Sequence, residues 1–338
     1  MTSVLPREII SAHSPDSDDA FMFYGLATKK VRSPKVTFRH VLKDIETLNR
    51  AAMDGVYELS AISYHAYPYV ADKYVLMASG SSIGDGYGPT VIATHPMEPE
   101  ELKGKRIAIP GTLTTAYLSL KLYQPDFEAV VTPFDKITDA VKEKSVDAGL
   151  IIHEAQLTYD REGFHRVVDL GRWFKNTYGL PLPLGGNVLL RSLDPEIQSE
   201  CCRLMRESIQ YALDNHDEAL SYALQFARDM EPRLAEKFLI TGAAQESEIA
   251  RAASREFHLL ETAAQLRDRG HRGGTADLLV ARESDPDGVN AGLVEPRLMP
   301  GYERHRLPAA VIVDCKHGEP VAQSGHSVPL SPASLLLR

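Results

Sequence analysis

The chain has 338 residues, of which 43% are hydrophobic, and its net charge is −9 at pH 7. A chain of this length can bury one large core or two modest ones. The acidic balance argues against nucleic acid or an anionic membrane as the main partner, so any bound anion must be held by local groups. The sequence has no apolar run of roughly 20 residues for a membrane span, and its acidic start does not fit a signal sequence. We therefore expect a cytoplasmic protein.

The first two thirds of the chain alternate short β-branched runs with amphipathic stretches, a pattern typical of an α/β fold with parallel strands. Strands are predicted in EIISAHS, KVTFRHVL and YELSAIS, and helices in DDAFMFYGLATKK and IETLNRAAMDG. Two further strands are predicted around a glycine-rich loop in YVLMASGSSIGDGYGPTVIATHP.

A self-contained βαβαβ module follows. Its strands are predicted in RIAIPG, FEAVVTPF and VDAGLIIHE, and its helices in TLTTAYLSLKLY, DKITDAVKEKS and AQLTYDREG. The chain then returns through LPLPLGGNVLLR to long helices between Asp194 and Phe238. A lobe that is begun, interrupted and resumed predicts two connecting strands, near residues 91–94 and 186–190, and a ligand cleft between the lobes.

The predicted architecture is therefore a two-lobed, type II periplasmic-binding-protein-like α/β fold. Lobe 1 is predicted at residues 1–92 and 188–240, and lobe 2 at residues 93–187. Residues 241–338 differ from both lobes, because they are rich in Arg, Gly, Pro and Ala and keep no stable period. We expect this C-terminal region to be irregular and partly disordered.

Asp16, Asp18 and Asp19 lie close together in HSPDSDDAFMFYGL and are followed at once by apolar residues. A Ca²⁺ loop would need oxygen ligands over about a dozen residues, with a glycine turn and a closing Glu. The interpretation we favour is that Asp18 or Asp19 caps a helix that begins here. Direct contact of Asp19 with a ligand in the cleft is the alternative, and no metal is expected.

Thr114 and Thr115 in GTLTTAYLSL follow a strand and open a helix. Free backbone N–H groups and hydroxyls in such a position can bind an anion such as a carboxylate, or the threonines can serve only as an ordinary helix cap. The residue pattern alone leaves both interpretations open.

His153 lies at the C-terminal end of an apolar strand in VDAGLIIHEAQLTY, where α/β folds place groups that face a ligand. With a reference pKa near 6.5, a histidine can exchange a proton at neutral pH, although a lone histidine at a strand end can equally be structural. The weaker candidates are Tyr64 in SYHAYPY, which could line an aromatic pocket, Gly86 in the tight loop GDGYGP at the cleft mouth, His13 and Asn187.

Several of these stretches, in this order, resemble the menaquinone-biosynthesis proteins of the futalosine pathway. The resemblance covers about Ile9 to Phe238 and rests on SPDSDDAFMFYGL, AISYHAYPYV, GDGYGP, AIPGTLTTAYLSLKL, GLIIHEAQLTY and PLPLGGN. The histidine in IIHEAQLTY favours the 1,4-dihydroxy-6-naphthoate synthases of that family over its chorismate dehydratases, which typically lack it.

The resemblance implies a cofactor-free carbon–carbon lyase that converts cyclic dehypoxanthinyl futalosine, an aromatic carboxylate, to 1,4-dihydroxy-6-naphthoate. It implies that His153 accepts a proton from the substrate. The substrate contacts that it implies are Ala61, Ile62, Ser63, Thr114 and Thr115. No oligomeric state is predicted.

The C-terminal region departs from the family. The family normally continues with a Tyr-Val-Asn helix that packs on the first lobe, whereas this chain has KFLITGAAQESEIA. Because GHRGGTAD could encode a family-like Ile-Glu-Ala-Gly-Leu-Leu stretch in another reading frame, the region is either the product of a frame change or a genuine extension.

Two other functions compete with the lyase. A small-carboxylate binding protein of the same fold would use His153 as a ligand contact only, and the absence of a recognisable signal sequence weighs against it. A chorismate dehydratase is disfavoured by His153.

Overall fold

A computed structural model describes residues 5–152, 155–226 and 312–313. The strands are β1 Arg7–His13, β2 Val36–Leu42, β3 Leu59–Ser63, β4 Tyr74–Met77, β5 Ser82–Gly84, β6 Thr90–Ala93, β7 Arg106–Ile109, β8 Glu128–Val131, β9 Ala148–Ile151, β10 His165–Asp169, β11 Leu182–Leu190 and β12 Ile312–Val313. The helices are α1 Ser17–Met22, α2 Tyr24–Ala27, α3 Ile45–Met53, α4 Tyr67–Val70, α5 Thr115–Tyr123, α6 Ile137–Lys142, α7 Ala155–Thr158, α8 Leu170–Tyr178, α9 Pro195–Asp214 and α10 His216–Ala223.

The described strands form two mixed sheets. The first has the order β12-β4-β11-β3-β1-β2, and β5 also pairs with β11. Within it β2, β1 and β3 run parallel, whereas β11 is antiparallel to β3, β4 and β5. The second has the order β10-β6-β9-β7-β8, in which β9, β7 and β8 run parallel and β6 is antiparallel to β9 and β10. The expectation of parallel strands therefore holds for the βαβ units but not for the strands that flank them.

The chain passes between the two sheets twice. It leaves the first sheet after Gly84 and enters the second at Thr90, and it returns between Asp169 and Leu182 through α8. Residues 91–93 and 186–190, predicted as parts of the connections, are paired strand residues of β6 and β11, so both passages lie a few residues earlier in the chain. The lobe bounds stay a prediction.

β10 and α8 were not predicted from the sequence. Asp169 caps α8 by accepting a hydrogen bond from the Arg172 N–H at 3.0 Å, and Gly179 ends the helix with a left-handed φ of 76°. An Asp followed ten residues later by Gly is a recognisable helix start and stop. The nine residues between them are too few to show a clear helical repeat of apolar residues.

Each sheet has its own apolar core. In the first, Phe21 and Phe23 from the N-terminal helices pack with Met205 and Ile209 of α9. In the second, residues of β7 and β9 pack with α5, as in the cluster containing Ile107. Burying a large apolar side chain contributes about 1.5–3 kcal/mol. Among the described helices, none combines the length and apolar character needed to cross a membrane.

Candidate functional site

A cleft lies where the two sheets face each other, at the carboxyl ends of their parallel strands. Its lining includes Ser14 just after β1, Ser63 at the end of β3, Thr114 after β7 and Ile152 after β9. The carboxyl ends of parallel strands are the usual ligand site of open α/β sheets. The cleft holds about 740 Å³ of empty space, including the solvent at its mouth.

Thr114 is the N-cap residue of α5 and lines the cleft. Its hydroxyl accepts a hydrogen bond from the Tyr117 N–H at 3.1 Å and donates to the Gly111 carbonyl at 2.8 Å. The single hydroxyl proton is therefore already used inside the protein. Thr114 acts as a cap, as one of the two sequence interpretations expected.

Thr115 is held in the same way. Its hydroxyl donates to the Leu184 carbonyl at 2.7 Å and accepts from the His65 N–H at 3.2 Å. The backbone N–H groups of Thr115 and Ala116, two residues that also line the cleft, have no hydrogen-bond partner within the described residues. These two amides, at the positive end of the α5 dipole, are left to bind an anion.

Residues of α3 hold the loop before α5 in place. Glu46 accepts a hydrogen bond from the Leu113 N–H at 3.1 Å, and Asn49 donates to the Leu113 carbonyl at 3.3 Å. The Asn49 side chain also accepts from the Ser63 N–H at 2.8 Å, so one side chain joins both walls of the cleft. A methyl group at Gly111 would lie 2.2 Å from the Glu46 carboxyl group, which explains the glycine. No sequence pattern indicates these contacts, because they join distant segments.

The predicted contacts Ala61, Ile62 and Ser63 all line the cleft. They form the C-terminal part of β3 and pair antiparallel with residues 185–187 of β11. Two of those three partners, Gly185 and Gly186, carry no side chain and also line the cleft, so this wall leaves space for a ligand.

The three N-terminal acids, Asp16, Asp18 and Asp19, also line the cleft. α1 begins beside them as predicted, but the expected capping geometry is wrong: the N-cap residue is Asp16, and its side chain makes no capping hydrogen bond. Asp19 lies within the first turn, and its carboxylate reaches back to accept from the Ser14 N–H at 2.6 Å. Asp18 accepts from the Asp19 N–H at 3.0 Å. In the described part of the chain no group of three or more His, Cys, Asp or Glu side chains could hold a metal ion.

Of the weaker candidates, the structure places Asn187 in the cleft lining and Tyr64 and Gly86 outside it. Tyr64 is 1% exposed and packs in an apolar cluster, where burial raises its pKa to about 12. Gly86 lies in the loop between β5 and β6 with a φ of 75°. Lys175 forms an ion pair at 2.6 Å with Asp85 in this loop.

His13 is buried at the end of β1, next to Ser14 in the chain, and is not part of the cleft lining. Its ring stacks on Phe23 with centroids 4.2 Å apart, its Nδ1 donates to the Ser14 carbonyl at 3.2 Å, and its Nε2 is 3.1 Å from the His40 Nδ1. Burial, followed by the nearby His40, lowers the His13 pKa to about 3. The imidazole is therefore neutral at physiological pH.

His153 lies outside the described residues, as does Glu154. The flanking residues Ile152 and Gln156 both line the cleft, and β9 ends at Ile151. The catalytic role of His153 stays a prediction.

Comparison with known proteins identifies the family. The sequence matches the family model for menaquinone biosynthesis over residues 10–260. The chain belongs to the menaquinone biosynthesis family. The matched range extends past Phe238, where the resemblance seen in the sequence ended. The rest of the C-terminal region lies beyond the matched range. Of its residues the structure describes only the backbone of Ile312–Val313, which pairs parallel with β4.

Two relatives in this menaquinone biosynthesis family are named 1,4-dihydroxy-6-naphthoate synthase. The Thermus thermophilus protein is 43% identical over 217 residues, which cover 64% of this chain and 79% of the relative. The Streptomyces coelicolor protein is 35% identical over 237 residues, which cover 68% of this chain and 82% of the relative.

Solved structures confirm the predicted periplasmic-binding-protein-like fold. Protein AF1704 from Archaeoglobus fulgidus is 45% identical, with a TM-score of 0.72 over 77% of this chain and 98% of that chain. The alkanesulfonate-binding protein SsuA from Xanthomonas axonopodis pv. citri is 12% identical, with a TM-score of 0.61 over 80% of this chain and 96% of that chain. At 12% identity this second likeness concerns the fold alone.

Proposed function

We propose that this member of the family is a carbon–carbon lyase that converts cyclic dehypoxanthinyl futalosine to 1,4-dihydroxy-6-naphthoate in the cleft between its two sheets. The observation that carries the proposal is the identity of 43% and 35% with two relatives named for that product. The enzyme is proposed to work in the cytoplasm, with the two sheets as the lobes that enclose the substrate.

The substrate carboxylate binds at the start of α5. The N–H groups of Thr115 and Ala116 donate to it, and the helix dipole adds a favourable field. Thr114 and Thr115 position these amides through the hydrogen bonds that their hydroxyls make inside the protein. Hydrogen bonds to a charged group contribute about 1.5–3 kcal/mol each, enough to orient the substrate.

His153 acts as the general base. Neutral imidazole accepts an acidic proton from the substrate, and fragmentation of a carbon–carbon bond follows because it forms an aromatic ring. A general base contributes about 10²- to 10⁴-fold, and positioning in a cleft that excludes water adds to this. No metal or cofactor is assigned a part in this scheme.

The experiment that tests the proposal incubates the purified protein in parallel with cyclic dehypoxanthinyl futalosine and with chorismate. We expect the naphthoate to accumulate from the first substrate, as followed by absorbance and mass, and chorismate to remain. Conversion of chorismate would make the protein a dehydratase. Binding of either compound without conversion would make it a binding protein of this fold.

A further inference from the structure

Asn187 carries a buried hydrogen-bond acceptor that no other described residue uses. The residue is 1% exposed and lines the cleft from β11. Its amide nitrogen donates to the Gly80 carbonyl at 2.7 Å, while its Oδ1 is buried with no hydrogen-bond partner. Buried polar atoms are nearly always paired, so an unpaired one in a cleft wall indicates a ligand group.

The contact with Gly80 fixes which way the Asn187 amide faces. A carbonyl oxygen can only accept, so the NH₂ group must point to Gly80 and the oxygen away from it. The fit is close, because a methyl group at Gly80 would lie 2.6 Å from the Asn187 Nδ2. Gly80 also has a left-handed φ of 83°, which favours glycine at this position. The ligand group that meets Asn187 must therefore be a hydrogen-bond donor.

A second acceptor of the same kind lies on the other wall. The Gln156 Oε1, on α7 after the last strand of the βαβαβ module, is buried and has no hydrogen-bond partner among the described residues, and Gln156 lines the cleft. The start of α5 offers donors in the N–H groups of Thr115 and Ala116. The cleft is thus complementary to a molecule with an anionic end and with donor groups elsewhere.

We propose that Asn187 is a specificity-determining residue whose side-chain oxygen accepts a hydrogen bond from a hydroxyl group of the substrate. The inference rests on the proposed function, since cyclic dehypoxanthinyl futalosine carries sugar-derived hydroxyl groups in addition to its carboxylate. An analogue without that hydroxyl leaves the Asn187 oxygen unpaired in the complex. The site discriminates against such an analogue more strongly than a purely apolar pocket does.

The test measures dissociation constants and turnover for the substrate and for analogues that each lack one hydroxyl. For one analogue, wild-type protein is expected to bind about 2- to 12-fold more weakly than it binds the substrate, the loss of one neutral hydrogen bond. Asn187→Leu should bind the substrate more weakly by a similar factor and should no longer distinguish it from that analogue. Ser208→Ala, a control at a buried polar side chain of α9 outside the lining, should discriminate as the wild type does.

Asn187→Ala removes the same oxygen with a smaller side chain and serves where the leucine variant fails to fold. It should likewise bind the substrate and that analogue with equal affinity. Discrimination that is the same in wild type and in the folded Asn187 variant for every hydroxyl would overturn the inference. If the wild type converts the substrate but its discrimination does not depend on Asn187, the inference fails and the proposed function stands. If the wild type neither binds nor converts the substrate, the inference and the proposed function both fail.

Discussion

The polar residues around the cleft make most of their hydrogen bonds inside the protein. The threonine hydroxyls that the sequence indicated as anion ligands are used to fix the start of α5, and the free donors are the backbone amides of Thr115 and Ala116. The sequence could predict which residues reach the cleft, because each follows a strand. It could not predict which atoms remain available, because that depends on partners such as Leu184 from distant segments.

His153→Gln is expected to lower kcat by about two to four orders of magnitude while KM changes little, because a general base acts in the transition state. The acidic limb of the kcat/KM pH profile should disappear in the variant. Steady-state kinetics of this variant and of His165→Gln, a control at an exposed histidine of the second sheet, would measure the effect. Near-normal turnover by His153→Gln would remove this residue from the mechanism.

His13 should make the stability depend on pH. Its pKa is lowered to about 3 in the folded protein, mainly by burial and then by His40, whereas an unfolded chain has a histidine pKa near 6.5. Below about pH 6.5 the unfolded state therefore binds a proton that the folded state does not. The free energy of unfolding contributed by this group should fall by about 1.4 kcal/mol per pH unit until about pH 3.

Urea unfolding of His13→Gln between pH 4 and 7 would check this expectation. The variant should lose less stability on acidification than the wild type, whereas the exposed-site control His165→Gln should follow the wild type. Equal slopes for His13→Gln and wild type would show that His13 is not held neutral by the fold.

At the scale of elements, α3 and α5 form one unit across the cleft. Glu46 and Asn49 on α3 bind the loop that leads into α5, so the amides proposed to bind the carboxylate are tied to the first sheet. A change at the start of α5 should therefore affect both stability and substrate binding.

Thr114→Val combined with Thr115→Val is expected to raise KM by about 10- to 150-fold, because the amides of residues 115 and 116 lose the hydroxyl contacts that position them and the substrate carboxylate loses the equivalent of one charged hydrogen bond. The loss of the cap should also lower the free energy of unfolding by about 0.5–2 kcal/mol. The matched variant Thr114→Ser with Thr115→Ser keeps both hydroxyls and should retain the wild-type KM. If the valine variant melted earlier but kept its KM, the threonines would be caps without a part in binding.

The start of α1 places three acids in the cleft lining. A metal chelator is nevertheless expected to leave the protein unaffected. Because no metal-binding group of three side chains is present in the described ranges, EDTA should change neither the turnover nor the melting temperature. Activity lost on chelation and restored by Ca²⁺ or Mg²⁺ would show instead that these acids hold a metal.

Most elements were predictable because the repeat of apolar residues that marks a strand or a helix lies within the element itself. β1, β2 and the βαβαβ module repeat a short apolar strand followed by an amphipathic helix, and the structure has both in the predicted order. The pairing of β11 with β3, β4 and β5 was not predictable, because it joins segments that are distant in the sequence, such as Leu189 and Leu59. Tyr64 was wrongly expected in the cleft, since the sequence shows no difference between a tyrosine that faces a ligand and one that fills the core.

At the scale of the whole molecule, the family match and the fold are both consistent with a ligand site in the cleft. Two mixed sheets face each other with the ends of their parallel strands at one site, and the family match spans residues 10–260. Donor amides on α5 and the acceptor oxygen of Asn187 divide this site by chemistry. The proposed substrate orientation places its carboxylate at α5 and its hydroxyls towards Asn187.

The most direct test is a crystal structure of the His153→Gln variant with cyclic dehypoxanthinyl futalosine bound. We expect the substrate between the two sheets, its carboxylate within hydrogen-bonding distance of the Thr115 and Ala116 N–H groups, and the side chain of residue 153 next to the acidic C–H group. A substrate bound outside the cleft, or one with its carboxylate turned away from α5, would show that the proposed site is wrong.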